Sequence, residues 1–266
     1  MAPHCYDRGP VKVRSKGGQK MDAVKSRMAV ITGGGRGFGK AFGQALTQQG
    51  IHVALVDLDA DAVARAAQEL GPLAMSFAGD VTDEARMKAI MIEAAKPGGG
   101  IDIVINNAGL HSHEFSRPMA EMGVAKTRRL FEVNVMGTVT CTLAAKPFMA
   151  GRPGASIVNI ASAAAFQGGG YGTSKLAVIG LTISFARELA ADGIRVNAIA
   201  PGVILTDTIR SEMAPETLSR IKAMQFLPDD GREQDIVDAM LYLTSPQARF
   251  VTGETLRVTG GFAAGI

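Results

Sequence analysis

The chain has 266 residues, of which 47% are apolar and 20% charged. That balance excludes a highly charged disordered chain, and no apolar run reaches the roughly 18 residues that a bilayer span requires. The formal charge of +3 is concentrated at one end: residues 1–27 hold seven Lys/Arg against two Asp, leaving 21 basic against 23 acidic residues beyond them. The slightly acidic body therefore offers no basic surface for nucleic acid or an anionic membrane.

Taken in chain order, residues 1–27 carry neither a helical amphipathic pattern nor an apolar core, which fits a disordered basic extension and not a signal peptide. Met21 is an alternative start. A β-rich run at Met28–Thr32 leads straight into Thr32-Gly33-Gly34-Gly35-Arg36-Gly37-Phe38-Gly39, with an apolar helix expected over Phe38–Gln49. Glycines between a strand and a helix allow a sharp turn and close backbone approach, and the unpaired N–H groups of the helix start attract phosphate. Gly33, Arg36, Gly37, Phe38 and Gly39 are thus candidate pyrophosphate-binding residues. The next strand, Ile51–Val56, ends beside Asp57, 18 residues past Gly39, where a carboxylate accepts hydrogen bonds from adenosine ribose hydroxyls. Asp57 would repel a 2′-phosphate, whereas Arg36 would attract one. A desolvated like-charge contact outweighs an exposed arginine, so NAD is the expected cofactor in preference to NADP.

A helix over Ala60–Leu70 and a strand over Leu73–Ala78 precede Asp80-Val81, which suit an adenine bracketed by a side-chain acceptor and an apolar wall. After a helix over Glu84–Ala95, the strand Ile101–Asn106 runs into Asn107-Ala108-Gly109. Small residues there let a cofactor lie against the carboxyl edge of the sheet, where open α/β sheets bind ligands. His111 and His113 lack a third ligand, and Cys5 and Cys141 stand far apart in unlike contexts. Neither a metal site nor a disulfide is expected, and a reducing cytoplasm fits. The remaining elements are a long helix over Ala125–Met149, a strand over Ser156–Ala161, a helix over Tyr171–Ala191 and a strand over Arg195–Ala200, then a helix over Gln234–Leu243 and a strand over Thr255–Val258. Between Gly202 and Gly231 lies an insert of lid length with a short helical pattern around Glu216–Met224. Alternating strands and helices with right-handed crossovers predict one α/β domain over residues 28–266: a doubly wound, seven-stranded parallel sheet with helices on both faces.

Tyr171-Gly172-Thr173-Ser174-Lys175 opens a helix, and a spacing of four puts phenol and ammonium on one face. A neighbouring cation and the positive charge of a nicotinamide favour the phenolate, which makes Tyr171 a workable acid–base group near neutral pH.

With these residues in hand, the sequence from Met28 to Phe262 resembles the classical short-chain dehydrogenase/reductase family. The resemblance rests on the glycine turn, Asp80, Asn107-Ala108-Gly109, Asn134 in Phe131-Glu132-Val133-Asn134-Val135, Ser162, Tyr171 with Lys175, and Pro201-Gly202 followed by Thr206. It implies a Rossmann-type fold in which Tyr171 transfers the proton, Lys175 also holds the nicotinamide ribose and Ser162 holds the substrate oxygen. Asn134 would break its helix locally and support a water leading to the lysine. Pro201, Gly202, Val203 and Thr206 would meet the nicotinamide end, with Val203 and Thr206 on its carboxamide. Ser162 and Tyr171 are only nine positions apart, closer than is usual in the family, so residues 163–170 are expected to reshape one pocket wall. Thr259, where relatives often carry an acid, bears on subunit contacts.

The expected function is NAD(H)-dependent interconversion of a secondary alcohol and a ketone, on a small molecule held between His111–Arg117, residues 163–170 and the Gly202–Gly231 insert. One alternative is an NADPH-dependent 3-oxoacyl (carrier protein) reductase, with Arg128-Arg129 as an anion-contacting patch. Another, of a different class, is a dinucleotide-sensing module without turnover. Surplus apolar surface on the two longest helices predicts a homo-oligomer, and the family resemblance implies a tetramer.

Overall fold

The computed structural model describes residues 26–111, 113–115, 117–204 and 215–262. All but the last two positions of the basic extension, residues 1–27, thus lie outside the described residues. The strands are β1 (Met28–Thr32), β2 (His52–Asp57), β3 (Ala74–Ala78), β4 (Ile103–Asn106), β5 (Ser156–Ile160), β6 (Arg195–Pro201) and β7 (Thr255–Val258). They form one seven-stranded sheet in the order β3-β2-β1-β4-β5-β6-β7, and every pairing is parallel. The order reverses between β1 and β4, the switch point where such sheets open a crevice at their carboxyl edge.

Two cores follow from the strand period of two. Val30, Ala54, Val104, Ile157 and Val196 point to the face covered by α3 (Glu84–Ala95), α5 (Gly137–Met149) and α6 (Gly169–Glu188). Their neighbours Ile31, Leu55, Ile105, Val158 and Ile199 point to the face covered by α1 (Gly37–Gln48), α2 (Ala60–Leu70) and α8 (Glu233–Thr244). β1, β4 and β5 are buried along their whole length, as continuous apolar strands of a doubly covered sheet must be.

The helix starts are unequal. Asp59 caps α2 by accepting from the Ala62 N–H at 2.9 Å, and Asp83 caps α3 through the Arg86 N–H at 2.9 Å. At α1 the capping position is Arg36, with no side-chain cap and no acid in the first turn, so its N–H groups and positive dipole end are left for a ligand.

The helix expected over Ala125–Met149 is not continuous. α4 starts earlier, at Met119, bends at Gly123 (φ 70°) and ends at Phe131; a π-turn over Glu132–Met136 then leads into α5. An apolar stripe cannot reveal the extra residue of a π-turn, because periodicity on either side is preserved. Other differences are at boundaries: β4 begins at Ile103, α6 begins at Gly169 and the short helix of the insert, α7, spans Pro215–Ala223.

At the amino edge of the sheet, Asp102 accepts from the Met28 N–H at 2.7 Å and from Arg152 Nε and Nη2, each at 2.9 Å. This bidentate pair is buried and ties β1, β4 and the segment before β5 together.

Candidate active site

The glycine turn and its neighbours interlock at the carboxyl edge. Gly33 has φ 65° and Gly37 φ 50°, values that L side chains resist. A Cβ at Gly33 would sit 2.9 Å from Asn107 Nδ2, and one at Gly39 would sit 2.0 Å from the Gly33 carbonyl oxygen. Asn107 Nδ2 donates to the Thr32 and Gly33 carbonyls, each at 3.0 Å, while Thr32 Oγ1 accepts from the Asn107 and Ala108 N–H groups at 3.1 Å. The turn is thereby fastened to the end of β4. Around Gly37, by contrast, a Cβ would meet nothing within 4 Å, which leaves open space above the start of α1, where Arg36 is exposed and Phe38 half-buried.

Asp57 lies at the end of β2 and accepts from the Gly35 N–H at 2.9 Å and the Asp59 N–H at 3.1 Å. Its carboxylate is thus fixed beside the glycine turn by backbone donors. Asp80 accepts from the Thr82 N–H and hydroxyl at 2.9 and 2.8 Å and from Arg129 at 3.3 Å. Desolvation pushes the Asp80 carboxyl upward, but these Thr82 hydrogen bonds and the Arg129 charge outweigh it and hold the group below its ordinary range. Val81 is buried against Gly137, where a Cβ would approach its Cγ2 to 2.6 Å. A cradle too tight for side chains, an uncapped helix start and a fixed carboxylate fit a dinucleotide's pyrophosphate and ribose.

On the far side of the switch point, Ser162 caps a 3-10 turn over Ala163–Phe166, its Oγ accepting from the Ala164 N–H at 3.2 Å. Gly168 and Gly169, with φ of 85° and 76°, then turn the chain directly into α6. The short spacing is thus absorbed by glycine geometry, and the Ser162 side chain still acts on the Tyr171 phenol, lowering its pKa against the desolvation that raises it. Lys175 stands one turn along α6, its Nζ 5.9 Å from the centroid of the Tyr171 ring and donating to the Ile160 carbonyl at 2.7 Å. A Cβ at Gly109 would be 3.3 Å from that Nζ, so the ammonium borders the Asn107-Ala108-Gly109 ledge.

Burial gives the chain's own groups in the site electrostatics that differ from the sequence expectation. Desolvation pushes the Tyr171 phenol above its ordinary value, and the Ser162 side chain only partly counters it. Lys175 is itself pulled down to about 8 by burial. In the protein alone, burial dominates over the attraction of the neighbouring ammonium for a phenolate.

Asn134 sits in the π-turn and is 1% exposed. Its Oδ1 accepts from the Leu110 N–H at 2.7 Å, and its Nδ2 donates to the Leu110 carbonyl at 3.1 Å and to Ser174 Oγ at 3.0 Å. Ser174 Oγ donates on to the Tyr171 carbonyl at 2.7 Å. The extra residue of the π-turn places this amide where it joins the β4 ledge to the first turn of α6. At the end of β6, Pro201 is buried, Gly202 donates its N–H to the Val258 carbonyl at 2.8 Å, and Val203 is half-buried. Thr206 lies outside the described residues. Arg128 and Arg129 are exposed on α4.

Sequence reasoning missed Thr32 and Ser174, because an isolated hydroxyl in a strand or helix carries no pattern. It also missed the apolar group of Leu110, Phe115, Met122 and Leu130 packed by Tyr171, which comes together only in three dimensions. Among the described residues no group of three or more His, Cys, Asp or Glu is placed to hold a metal, and no helix is long and apolar enough to cross a membrane.

A doubly wound parallel sheet with a glycine turn at its switch point and a Ser, Tyr and Lys group across the crevice defines a class of dinucleotide-binding oxidoreductase folds. The chain belongs to the short-chain dehydrogenase/reductase family: the family model described as Enoyl-(Acyl carrier protein) reductase matches residues 33–263. It is 36% identical to sorbitol dehydrogenase of Cereibacter sphaeroides over 90% of this chain and 98% of that one. It is 34% identical to cis-4-hydroxycyclohexanecarboxylate dehydrogenase of Sinomonas cyclohexanicum, over 91% and 99% of the two chains. A short-chain type dehydrogenase/reductase structure from Mycobacterium ulcerans superimposes with a TM-score of 0.84 at 32% identity, covering 90% of each chain.

Proposed function

We propose that this protein interconverts a secondary alcohol and a ketone with NAD(H), with Tyr171 as acid–base group. The observation that carries the reading is the buried Lys175 ammonium 5.9 Å from the centroid of the Tyr171 ring, one helical turn along α6, with Ser162 at the head of the adjoining 3-10 turn, across the crevice from the glycine turn. Gly33, Arg36, Gly37, Phe38 and Gly39 would hold the pyrophosphate, Asp57 the adenosine ribose, and Asp80 and Val81 the adenine. Asn107, Ala108 and Gly109 would form the ledge beneath the cofactor, with Lys175 on the nicotinamide ribose and Pro201, Gly202, Val203 and Thr206 at the carboxamide end.

Bound NAD supplies the hydride acceptor, and in its reduced form the donor. Tyr171 takes the hydroxyl proton of the alcohol as the C–H bond breaks, and returns it to the carbonyl oxygen in reduction. Ser162 donates a hydrogen bond to that oxygen, where negative charge develops. Lys175 favours the phenolate by its charge, and Asn134 positions the helix start that carries Tyr171. The two dehydrogenases above act, by their names, on a polyol and on a cyclic hydroxy acid; both are secondary alcohol chemistry that this site would support.

The 3-oxoacyl reductase alternative requires a 2′-phosphate beside Asp57, whose carboxylate is fixed by two backbone donors and cannot easily swing away. A panel of polyols and cyclic secondary alcohols, assayed with NAD and NADP by the absorbance of the reduced cofactor, tests the proposal. Turnover with NAD that disappears in Tyr171→Phe is the expected outcome. A strong NADP preference would overturn the cofactor assignment. Undiminished NAD affinity with no turnover across the panel would favour a sensing module.

A further inference from the structure

The 3-10 turn that carries Ser162 is held from outside by a contact that neither the fold nor the proposed chemistry requires. Phe166 ends the turn and packs into a shallow site made by Ala161, Val178, Ala198 and Ala200. Ala198 and Ala200 are neighbours on the α6 side of β6, and their small side chains leave room for a ring. Arg257 pairs with Ala200 in the β6–β7 register, and its guanidinium carbon lies 4.1 Å from the centroid of the Phe166 ring. That distance corresponds to a face-on stack of a planar cation on an aromatic ring. Phe166 thus packs on the alanine pocket while the guanidinium lies over its ring.

The turn cannot shift without moving both reactive groups. Its first residue is Ser162, whose Oγ caps it through the Ala164 N–H. Its Ala164 carbonyl abuts the first turn of α6, where a Cβ at Gly172 would approach that oxygen to 2.3 Å. Immediately beyond Phe166 and Gln167 stand three glycines, two of them with positive φ, which impose no side-chain packing of their own. Ala163 and Ala165 are buried and fix the inner side of the turn, and the stack is the anchor on its outer side.

We propose that Arg257 is a positioning residue: by stacking on Phe166 it holds the Ala163–Phe166 turn so that the Ser162 hydroxyl stays aligned with the Tyr171 phenol. This rests on Tyr171 being the acid–base group proposed above, but its test reads the alignment without turnover. Around the phenol, the charged group is Lys175 of α6, and the packed neighbours Leu110, Phe115, Met122 and Leu130 are apolar. Desolvation raises the pKa of the phenol and the Ser162 side chain lowers it, so the latter is the contribution that a displaced turn would remove.

The full chain, labelled with 3-fluorotyrosine and followed by fluorine NMR, reports each phenol separately across pH. Fluorination acidifies the phenol and brings its titration into a range where the fold persists. The Tyr171 signal is identified by its loss in Tyr171→Phe, and the Tyr242 signal, on α8, serves as a fold control. Arg257→Lys keeps the charge but loses the planar stack; Phe166→Leu keeps an apolar plug but loses the ring. Each is expected to raise the Tyr171 midpoint by about half a pH unit, the equivalent of most of one net hydrogen bond. In a Ser162→Ala background neither should raise it further. Unchanged Tyr171 midpoints in both variants, with Tyr242 undisturbed, would overturn the proposal. So would equal shifts with and without Ser162, since the effect would then not pass through that hydroxyl. A variant whose Tyr242 signal also moves is replaced by the other, which attacks the same stack from the opposite side. Absence of activity in every substrate assay would defeat the functional reading and leave these titrations interpretable.

Discussion

Lys175 illustrates the conflict between a residue's task and its stability. Its ammonium is 5% exposed and titrates near 8, below the ordinary 10.5, because burial disfavours the charge. Between those two values the unfolded chain binds more protons than the folded one, so the Lys175 contribution to stability improves as pH rises through that window, and its full cost is felt below it. Lys175→Met removes this dependence. Thermal melts of the cofactor-free protein should show the variant's advantage over wild type largest at pH 7 and shrinking steadily toward pH 10, while dehydrogenase turnover is lost. Asp57 makes the opposite case, a charge placed for selectivity. Asp57→Asn keeps one oxygen acceptor, enough for either the Gly35 or the Asp59 N–H, but removes the charge that repels a 2′-phosphate, and exposed Arg36 remains nearby to attract one. The ratio of kcat/KM with NADPH to that with NADH should rise at least about tenfold, a change of roughly 1.4 kcal/mol; an unchanged ratio would remove Asp57 from the selectivity argument.

At the scale of elements, the buried Arg152–Asp102 pair joins three segments at the edge of the sheet away from the crevice. Arg152→Ala strands a carboxylate that is 4% exposed, which costs on the order of 3 kcal/mol. Urea denaturation should show that loss, and adding Asp102→Asn should recover part of it. The elements themselves were largely legible in the sequence. Continuous apolar strands such as Ile103–Asn106 and the glycine-flanked start of α1 state their roles through composition and context. The π-turn was not legible, because Phe131-Glu132-Val133-Asn134-Val135 keeps an unremarkable helical pattern and the family resemblance alone marked Asn134. Nor did the sequence show how nine positions carry the chain from Ser162 to Tyr171, since that depends on two successive glycines with positive φ. Nothing in the sequence singles out Arg257, and only its place over Phe166, beside Ala200 in the register, shows what it covers.

At the scale of the whole molecule, the π-turn with α5, and α6, expose Met136, Leu143, Leu176 and Ile183, all between 46% and 52% accessible. Leu143 lies seven residues from Met136, and Ile183 seven from Leu176, so each helix presents one apolar line to solvent. Surface of that kind suits self-association, in keeping with the homotetramer proposed from the sequence. Multi-angle light scattering should give an oligomer for the wild type and smaller particles for Leu143→Lys combined with Ile183→Lys; a monomeric wild type would refute the assignment of this face.

The π-turn has a further consequence for how the protein tolerates change. Because one surplus residue is wound into the chain between α4 and α5, shortening it by one would mend the spiral and leave the faces of the flanking helices where they are. Cys141, Ala144 and Ala145 would keep the interior they now fill, while the amide that bridges the β4 ledge to α6 would point elsewhere. The straighter rod would bury the same faces yet leave its two shores unjoined, so in this stretch local irregularity is what keeps distant parts in step.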